Sequence, residues 1–366
     1  MNINCRFATA EEIADWDNLV TQNPDGGSYH ITKAIIAARQ HLGSSPKYLV
    51  FSNKGGAASK TVAVAFEHKI PLLGKHWHIA RGPFVTGQAD FEAHIAALRQ
   101  FIAKNKLGVF HILVEPPLVT VDEKISKEPL AKPLLAPDLT AWREVFYSNS
   151  DTVIVDIDKS DEELLASFGK STRYEIRQFL KTEPVLKEYP ATSETFDTMR
   201  KLNMLVGGGN KNVELRPTPY LDTLWTEATK TGNSAFFVYE TDGKPAVIAW
   251  IYIVGDNAYY VYGGSERPLT VRGMSHALQF EAMKWARDKG AKTYNLLGIA
   301  PASAKSDDDH PGYSLSRFKL GFGGRTTYTG AYDIPVNSWK SKIWLKIGER
   351  LYAMICYKLK SDLSIY

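Results

Sequence analysis

The sequence predicts an α+β protein of two domains, and three observations support this prediction. The chain has 366 residues, whereas a single hydrophobic core usually stops growing at about 250–300 residues. Its hydrophobic share of 44% and its charged share of 23% are those of a well-packed globular protein. Its helix-like and strand-like segments also follow one another in a similar cycle twice.

The first cycle predicts a domain over residues 1–152. Two amphipathic helices are expected first, in ATAEEIADWDNLVTQ and SYHITKAIIAARQHLG. Three β-rich runs separated by turn residues then predict an antiparallel meander: KYLVFS, TVAVAFEHKI and HWHIARGPFV. A helix in FEAHIAALRQFIAKNKLG and a strand in VFHILVEPPL follow, and the proline-rich KEPLAKPLLAPDL is expected to be a loop.

The second cycle predicts a domain over residues 153–330. It begins with a strand, TVIVDI, and one long helix, SDEELLASFGKSTRYEIRQFLKT, for which Ser160 is a suitable N-cap. A further helix is expected around SETFDTMRKLNML. Asp-Gly and Gly-Asp pairs in GNSAFFVYETDGKPAVIAWIYIVGDNAYYVYGGS predict tight hairpins. A helix in VRGMSHALQFEAMKWARDKG and a strand in AKTYNLLGI complete an order that is typical of a GNAT-type N-acyltransferase core.

Charge and cysteine content exclude several classes of protein. The 44 basic and 40 acidic residues leave a net charge of +4, which is too small for a dedicated nucleic-acid-binding protein, although one basic face can still bind phosphates. Cys5 and Cys356 lie far apart and outside any ligand spacing, so no disulfide framework or zinc site is predicted. No glycine motif for a nucleotide is complete, so no cofactor is predicted either. Because the sequence has neither a signal peptide nor a long apolar run, we expect a cytoplasmic protein.

Four basic side chains in FGKSTRYEIRQFLK recur at helical spacing: Lys170, Arg173, Arg177 and Lys181. A helix face lined with cations suits contacts with phosphates. A solvated helix face has the same pattern, and this alternative stays open.

Arg216 and Tyr220 lie four residues apart at the start of an apolar helix. They place a guanidinium beside a phenol, which suits a diphosphate or carboxylate next to a ring. Two ordinary surface residues are the alternative interpretation.

The segment HPGYSLSRFKLGFGG, residues 310–324, combines a His-Pro-Gly turn and four glycines with Lys319, which is flanked by Phe318 and Phe322. Its position after the second sheet, helix and strand predicts that Lys319 lies beside the cleft of the second domain. A lysine whose aliphatic chain packs between two aromatic residues is the alternative.

The loop ERPLTVRGMSHAL stands where GNAT acetyltransferases bind the coenzyme A pyrophosphate at a helix N-terminus. Only Arg272-Gly273-Met274-Ser275 remains of the pattern expected there. This departure counts against coenzyme A binding.

Together these segments resemble the FemABX family of aminoacyltransferases, which add amino acids from aminoacyl-tRNA to the peptidoglycan stem peptide. The matching segments run over nearly the whole chain: SYHITKAIIAARQHLG, ARGPFV, ILVEPPL, GKSTRYEIRQFLK, AYYVYGGSE, ALQFEAMKWARDKGAKTYNLLGI and RFKLGFGG. The resemblance implies two GNAT-like domains, the first completed by residues 331–366. It also implies the shorter FemX kind, without a coiled-coil arm.

The resemblance also implies site residues. Lys319 matches the lysine of the family's Phe-Lys-x-x-Phe-Gly element and would stabilise the negative charge that builds up during aminolysis of an ester. Glu115, where many members have an aspartate, would act as a base or an orienting group. The implied substrate-binding residues are Arg39, Arg81, Arg216, Tyr220, Tyr260 and Tyr262, and we assign the tRNA or phosphate face to Lys170, Arg173 and Arg177.

The implied reaction moves an amino acid from aminoacyl-tRNA to the side-chain amine of the stem peptide of UDP-MurNAc-pentapeptide or lipid II, with no cofactor. Fold does not fix function, so two alternatives stay open. One is a coenzyme A-dependent N-acyltransferase that acts on another amine. The other is a non-catalytic module that binds cell-wall precursors.

The C-terminal segment SWKSKIWLKIGERLYAMICYKLK predicts a basic amphipathic helix. Its tryptophans favour packing on the protein's own core. Its basic residues also allow a peripheral contact with a membrane surface. The inner face of the membrane is therefore a second expected location, besides the cytoplasm.

Overall fold

The structure, a computed structural model, describes residues 3–53, 60–85, 87–121, 141–143, 150–206, 216–269, 271–308, 310, 312–328 and 330–360. The predicted proline-rich loop, residues 127–139, lies outside the described residues. The run of three glycines at residues 207–209 lies outside them as well.

Strands within these residues are β1 Ile3–Phe7, β2 Ser45–Asn53, β3 Lys60–Ile70, β4 Gly74–Ile79, β5 Val109–Val114, β6 Val119–Val121, β7 Ala141–Arg143, β8 Asp151–Asp156, β9 Lys187–Tyr189, β10 Ser234–Thr241, β11 Lys244–Val254, β12 Asn257–Ser265, β13 Thr293–Asn295, β14 Arg325–Tyr328 and β15 Ala331–Pro335.

Helices are α1 Ala10–Ala14, α2 Trp16–Thr21, α3 Lys33–Gln40, α4 Gln88–Lys104, α5 Asp161–Ser167, α6 Lys170–Leu180, α7 Ser193–Val206, α8 Thr218–Thr229, α9 Met274–Asp288, α10 Tyr313–Leu320, α11 Ser338–Ile343 and α12 Glu349–Lys360. A 3-10 turn covers Tyr29–Ile31, and a π-helical turn, Trp344–Gly348, joins α11 to α12.

The strands form two sheets. The first has the order β1-β2-β3-β4-β5-β15-β7, and the second has the order β6-β14-β8-β13-β12-β11-β10-β9. In the first sheet the meander β2-β3-β4 is followed by β5, which is parallel to β4. In the second sheet the meander β10-β11-β12 is followed by β13, which is parallel to β12. The predicted α+β class, with two sheets and flanking helices, is confirmed.

The chain divides into two compact units. The first unit contains the described residues up to Thr120 and from Tyr328 onward, together with residues 141–143 and Ser150, and the second contains Asp151–Thr327. Each unit has its own buried apolar core. In the first unit Trp77, Ile95 and Leu98 belong to a core that includes α4 residues, and Phe110, Leu113 and Trp344 form a smaller cluster with the C-terminal segment.

The prediction of one long helix over residues 160–182 is wrong, because α5 and α6 are separate. Phe168 is extended (φ −77°, ψ 161°), and its ring packs against those of Phe280 and Phe322. The Gly169 N–H then donates to the Gly321 carbonyl oxygen at 2.9 Å. A tertiary hydrogen bond and a buried ring thus interrupt a pattern that is helical by periodicity alone. The first predicted helix is likewise divided, into α1 and α2.

Candidate functional site

One cluster of polar side chains lies at the carboxyl ends of the parallel strands β4 and β5. Arg81 follows the end of β4, and Glu115 comes directly after β5. The strand ends stay joined, because the Gly82 N–H donates to the Glu115 carbonyl oxygen at 3.0 Å. The Glu115 side chain is 0% exposed, and its Oε1 lies 3.0 Å from Nε2 of His78.

Arg39, near the end of α3, contacts the other nitrogen of His78. Its guanidinium lies 3.2 Å from Nδ1 of His78 and 3.8 Å from the centre of the Phe66 ring. A guanidinium can only donate, so Nδ1 accepts this bond and Nε2 carries the proton that it donates to Glu115. Burial lowers the pKa of His78, although the Glu115 carboxylate acts in the opposite direction. A neutral His78 therefore links a buried cation to a buried anion.

Arg81 has the backbone conformation φ 48°, which is uncommon for a residue other than glycine. Its side chain is buried, and the guanidinium carbon lies 3.3 Å from the centre of the Tyr328 ring.

His30 belongs to the same cluster. Burial lowers the pKa of His30 well below its usual value, and the charge of Arg81 lowers it further. The first unit thus brings two guanidiniums, one carboxylate and two neutral imidazoles together. Such a set suits the binding of an anionic group or the orientation of an amine.

His30 and His78 were missed by sequence reasoning. A weak signal existed for His78, because the alternation in β4 places His76 and His78 on one face of the sheet. His30 gave no signal, since a 3-10 turn of three residues has no period from which its orientation could be predicted.

A second cluster lies at the carboxyl end of the parallel pair β12 and β13. These strands pair only as far as Tyr259 and Asn295, beyond which β12 continues to Ser265 paired with β11 on its other side. After β13 the chain turns at Leu297 (φ 57°). The Nζ of Lys319 donates to the Gly298 carbonyl oxygen at 2.8 Å and lies 3.5 Å from that of Leu297.

Lys319 is buried, with 6% of its surface exposed, on the last turn of α10. Burial lowers the pKa of its ammonium from 10.5 to about 7, because the charged form loses its hydration. No carboxylate of the described residues contributes to this pKa. Phe318 and Phe322 contact each other and the ring of His276. The ammonium is therefore held by backbone carbonyl oxygens and is carried by a helix.

Tyr260 and Tyr262 have different neighbours. The ring centre of Tyr260 lies 5.9 Å from Nζ of Lys319, and burial raises the pKa of its phenol to about 12. Tyr262 packs instead against the Trp225 ring of α8, with ring centres 6.1 Å apart. A Cβ at Gly263 would lie 2.1 Å from the Tyr260 hydroxyl, so the glycine there makes room for the phenol. The structure brings Tyr260, but not Tyr262, to Lys319.

The pair Arg216 and Tyr220 is brought together at the start of α8. The guanidinium carbon lies 5.7 Å from the centre of the Tyr220 ring, and Tyr220 itself is buried. Because Trp225 of the same helix contacts Tyr262, the predicted substrate-binding residues of this unit form two groups. Tyr260 lies near Lys319, and Tyr262 packs against α8.

Three of the four basic side chains on the basic face of α6 are exposed to solvent, and the fourth is not. Lys170, Arg177 and Lys181 are exposed, and so is Tyr174 on the same face. Arg173 is half-buried and donates to the Ala166 and Phe168 carbonyl oxygens at the end of α5, so it has a structural role that the spacing did not reveal.

The N-terminus of α6 lies against the end of α10. Besides the hydrogen bond between Gly169 and Gly321, a Cβ at Gly321 would lie 2.2 Å from Oγ1 of Thr172. Only glycine permits this approach. The basic face therefore begins next to the helix that carries Lys319.

Comparisons with known proteins agree with this architecture. A family model described as the FemAB family matches residues 222–345. A lipid II:glycine glycyltransferase of Staphylococcus haemolyticus is 23% identical over 410 residues, covering 88% of this chain and 91% of the relative. The protein of the same name from Staphylococcus aureus strain MRSA252 is 22% identical over 407 residues, with shares of 88% and 91%. A crystal structure of FemX is similar over 94% of this chain and 100% of its own, with a TM-score of 0.72 at 18% identity.

Proposed function

We propose that this chain, which is similar to FemAB-family proteins and to a FemX structure, is a FemABX-type enzyme that transfers an amino acid from aminoacyl-tRNA to the side-chain amine of a peptidoglycan stem peptide. The acceptor is UDP-MurNAc-pentapeptide or lipid II, and the product is the start or extension of an interpeptide bridge. The observation that carries this proposal is the buried ammonium of Lys319, which lies at the Leu297 and Gly298 carbonyl oxygens, just after the end of β13.

In this reaction the acceptor nitrogen forms an amide bond with the ester carbonyl carbon. The ester bond to the tRNA ribose then breaks, and the ribose oxygen leaves with the proton that the amine gives up. Negative charge builds up first on the carbonyl oxygen and then on the ribose oxygen. A fixed ammonium stabilises both, and it does so most strongly where water is excluded. Lys319 meets these conditions, because it is buried and already oriented by the Gly298 carbonyl oxygen.

The donor is assigned to the second unit. The 3′ end of a tRNA carries the ester, and the phosphates of the acceptor stem precede it. Lys170 and Arg177 on α6 are suited to those phosphates, and exposed Tyr174 offers a ring on which a base can stack. Since α6 begins beside the end of α10, phosphates bound there would leave the ester near Lys319.

Each unit has its own predicted substrate-binding residues. In the second unit, Arg216 with Tyr220 would bind a diphosphate oxygen and a ring. In the first unit, Arg39 with Arg81 would bind an anionic group. Glu115 would orient the amine through its own charge. Because its side chain is fully buried, direct proton abstraction requires the acceptor to enter the cluster.

Coenzyme A-dependent transfer is less well supported. The helix α9, whose start corresponds to the pyrophosphate site of GNAT enzymes, is preceded by Gly273 with φ 84°. A Cβ at Gly273 would lie 2.4 Å from the Glu175 carbonyl oxygen of α6, and the Glu175 carboxylate pairs with Arg272 at 2.5 Å. The guanidinium at this helix start is thus already paired with a carboxylate, and a carbonyl oxygen lies close to its glycine, so neither offers a site for a pyrophosphate.

The decisive experiment is incubation of the protein with lipid II or UDP-MurNAc-pentapeptide and a set of charged tRNAs, followed by mass measurement of the acceptor. We expect a gain of one amino-acid residue with one class of charged tRNA. A parallel reaction with acetyl-coenzyme A is expected to leave the mass unchanged. Acetylation in that reaction, without transfer from any tRNA, would contradict the proposal.

Reversing two charges on α6 tests the donor assignment. We expect Lys170→Glu/Arg177→Glu to weaken tRNA binding by at least about tenfold and to reduce the slope of log affinity against log salt by about 2, because two phosphate contacts are lost. Gel shifts at several salt concentrations measure both. The exposed Lys289, after α9, offers a matched control as Lys289→Glu. Equal binding by the double variant and the control would contradict the assignment.

A further inference from the structure

The C-terminal helical segment exposes an apolar stripe. Six large apolar side chains of α11, the π-helical turn and α12 are between 39% and 59% exposed: Trp339, Ile343, Ile347, Leu351, Met354 and Ile355. Contiguous exposed apolar surface of this kind marks an interaction site more often than it marks a packing defect.

The stripe is not the side of the helix that packs on the protein. Trp344, on that side, is 0% exposed and packs near the rings of His76 and Phe110. The Ser341 hydroxyl donates to the Phe110 carbonyl oxygen at 2.9 Å, and Nζ of Lys340 donates to that of Leu73 at 2.7 Å. One side of the helical segment is therefore fixed to the first unit, and the apolar stripe on its other side is exposed to solvent.

A second element adds an apolar side chain beside this helix. Leu72, in the turn between β3 and β4, is 99% exposed and has φ 65°. Glycine or asparagine would adopt this conformation with less strain, and a polar residue would be better solvated. The hydrogen bond from Lys340 to Leu73 fixes the turn against α11. Folding alone gives no reason for a leucine at this position.

The charges around the stripe favour one kind of partner. Lys342, Lys346 and Arg350 are exposed, whereas Glu349 is the single acidic residue of the sequence from 338 to 355. A second copy of the chain would place these cations against cations. Anionic lipid headgroups would neutralise them, while the acyl chains take up the apolar side chains. No helix of the described residues is long and apolar enough to cross a bilayer.

We propose that Leu72 and the exposed side of residues 339–355 form a membrane-docking surface for anionic phospholipid bilayers. Trp339 lies at the headgroup level, where tryptophan is enriched, and Leu72 with Ile347 and Met354 enters the acyl region. This inference goes beyond amino-acid transfer, because the surface binds lipid whether or not the acceptor is present. Its test therefore uses no substrate.

Sedimentation of the full chain with vesicles tests the docking surface. We expect binding to vesicles of phosphatidylglycerol and phosphatidylcholine in equal parts, and at least about tenfold weaker binding to phosphatidylcholine alone. Leu72→Ser/Ile347→Ser is expected to reduce binding to the anionic vesicles by at least about tenfold, since two aliphatic side chains that would be buried in the bilayer are lost. Lys342→Glu/Lys346→Glu should reduce it as well, most strongly at low salt.

The matched control is Met204→Ser, at an exposed methionine of the second unit, which should bind vesicles as the natural sequence does. Circular dichroism and thermal melting should be unchanged in all variants, because the replaced side chains are exposed. Equal vesicle binding by Leu72→Ser/Ile347→Ser and by the control would overturn the proposal. So would a dimer in solution that this double variant dissociates, because the stripe would then join two copies of the chain.

Discussion

Lys319→Met is expected to abolish amino-acid transfer while making the folded protein more stable. Methionine has nearly the same length but no charge, so the stabilisation of the ester oxygens is lost. Removal of one such electrostatic group typically costs about 10²–10³ in rate. The gain in stability has a separate cause, which is that burying an ammonium without a carboxylate is unfavourable. Single-turnover transfer rates and thermal melting of the same variant measure the two effects.

The gain in stability should depend on pH in a defined direction. The pKa of Lys319 is about 7 in the folded protein and about 10.4 in an unfolded chain. Between these values the unfolded state binds more protons, so the natural protein becomes more stable as the pH rises. Below about pH 7 the full penalty applies. We therefore expect the advantage of Lys319→Met to be larger at pH 6 than at pH 9, by roughly 2–3 kcal/mol.

Lys289→Met is the matched control, because it removes an exposed lysine from the same unit. It should change neither the transfer rate nor, by more than about 0.5 kcal/mol, the free energy of unfolding. An unchanged transfer rate in Lys319→Met would leave Lys319 with a structural role. A stability gain that is equal at both pH values would mean that its ammonium does not titrate near pH 7.

Much of the fold could be predicted from the sequence, because the sheets depend on local signals. Asp-Gly and Gly-Asp turns and long β-branched runs predicted the meander of the second unit, and the observed β10, β11 and β12 confirm it. The errors occurred where tertiary contacts override periodicity. The break before α6 depends on Gly321, about 150 residues away in sequence. No element was predicted for α10, since glycines stand on both sides of its eight residues.

The candidate site was less predictable, because its geometry depends on contacts between distant segments. The resemblance identified Lys319, but not the carbonyl oxygens of Leu297 and Gly298 that orient it. Arg173 belonged to a basic stripe by spacing, whereas in the structure it caps α5. His78, between Arg39 and Glu115, had only a weak signal in the sequence, because the alternation in β4 indicates its face of the sheet but not its partners.

Glu115→Gln is expected to destabilise the first unit by about 3 kcal/mol, as removal of one buried charge from a hydrogen-bonded network commonly does. Glutamine keeps an oxygen that accepts the hydrogen bond from Nε2 of His78. The loss of stability therefore measures the contribution of the negative charge and not that of the hydrogen bond. Because the carboxylate raises the pKa of His78 against the effect of burial, that pKa should fall further. Chemical denaturation measures the first effect, and histidine NMR titration measures the second.

Glu67→Gln separates this effect from an ordinary loss of charge. Glu67 accepts a bond from Nε1 of Trp77 at 2.9 Å, which glutamine also preserves. Its ion pairs, at 3.7 Å to Lys47 and 3.4 Å to Lys75, involve partly exposed lysines and should contribute less than about 1 kcal/mol. In a double-mutant cycle, Arg39→Met should cost less in the Glu115→Gln background than alone, because both belong to one network. Equal costs for Glu115→Gln and Glu67→Gln would remove the electrostatic basis for assigning the acceptor amine to Glu115.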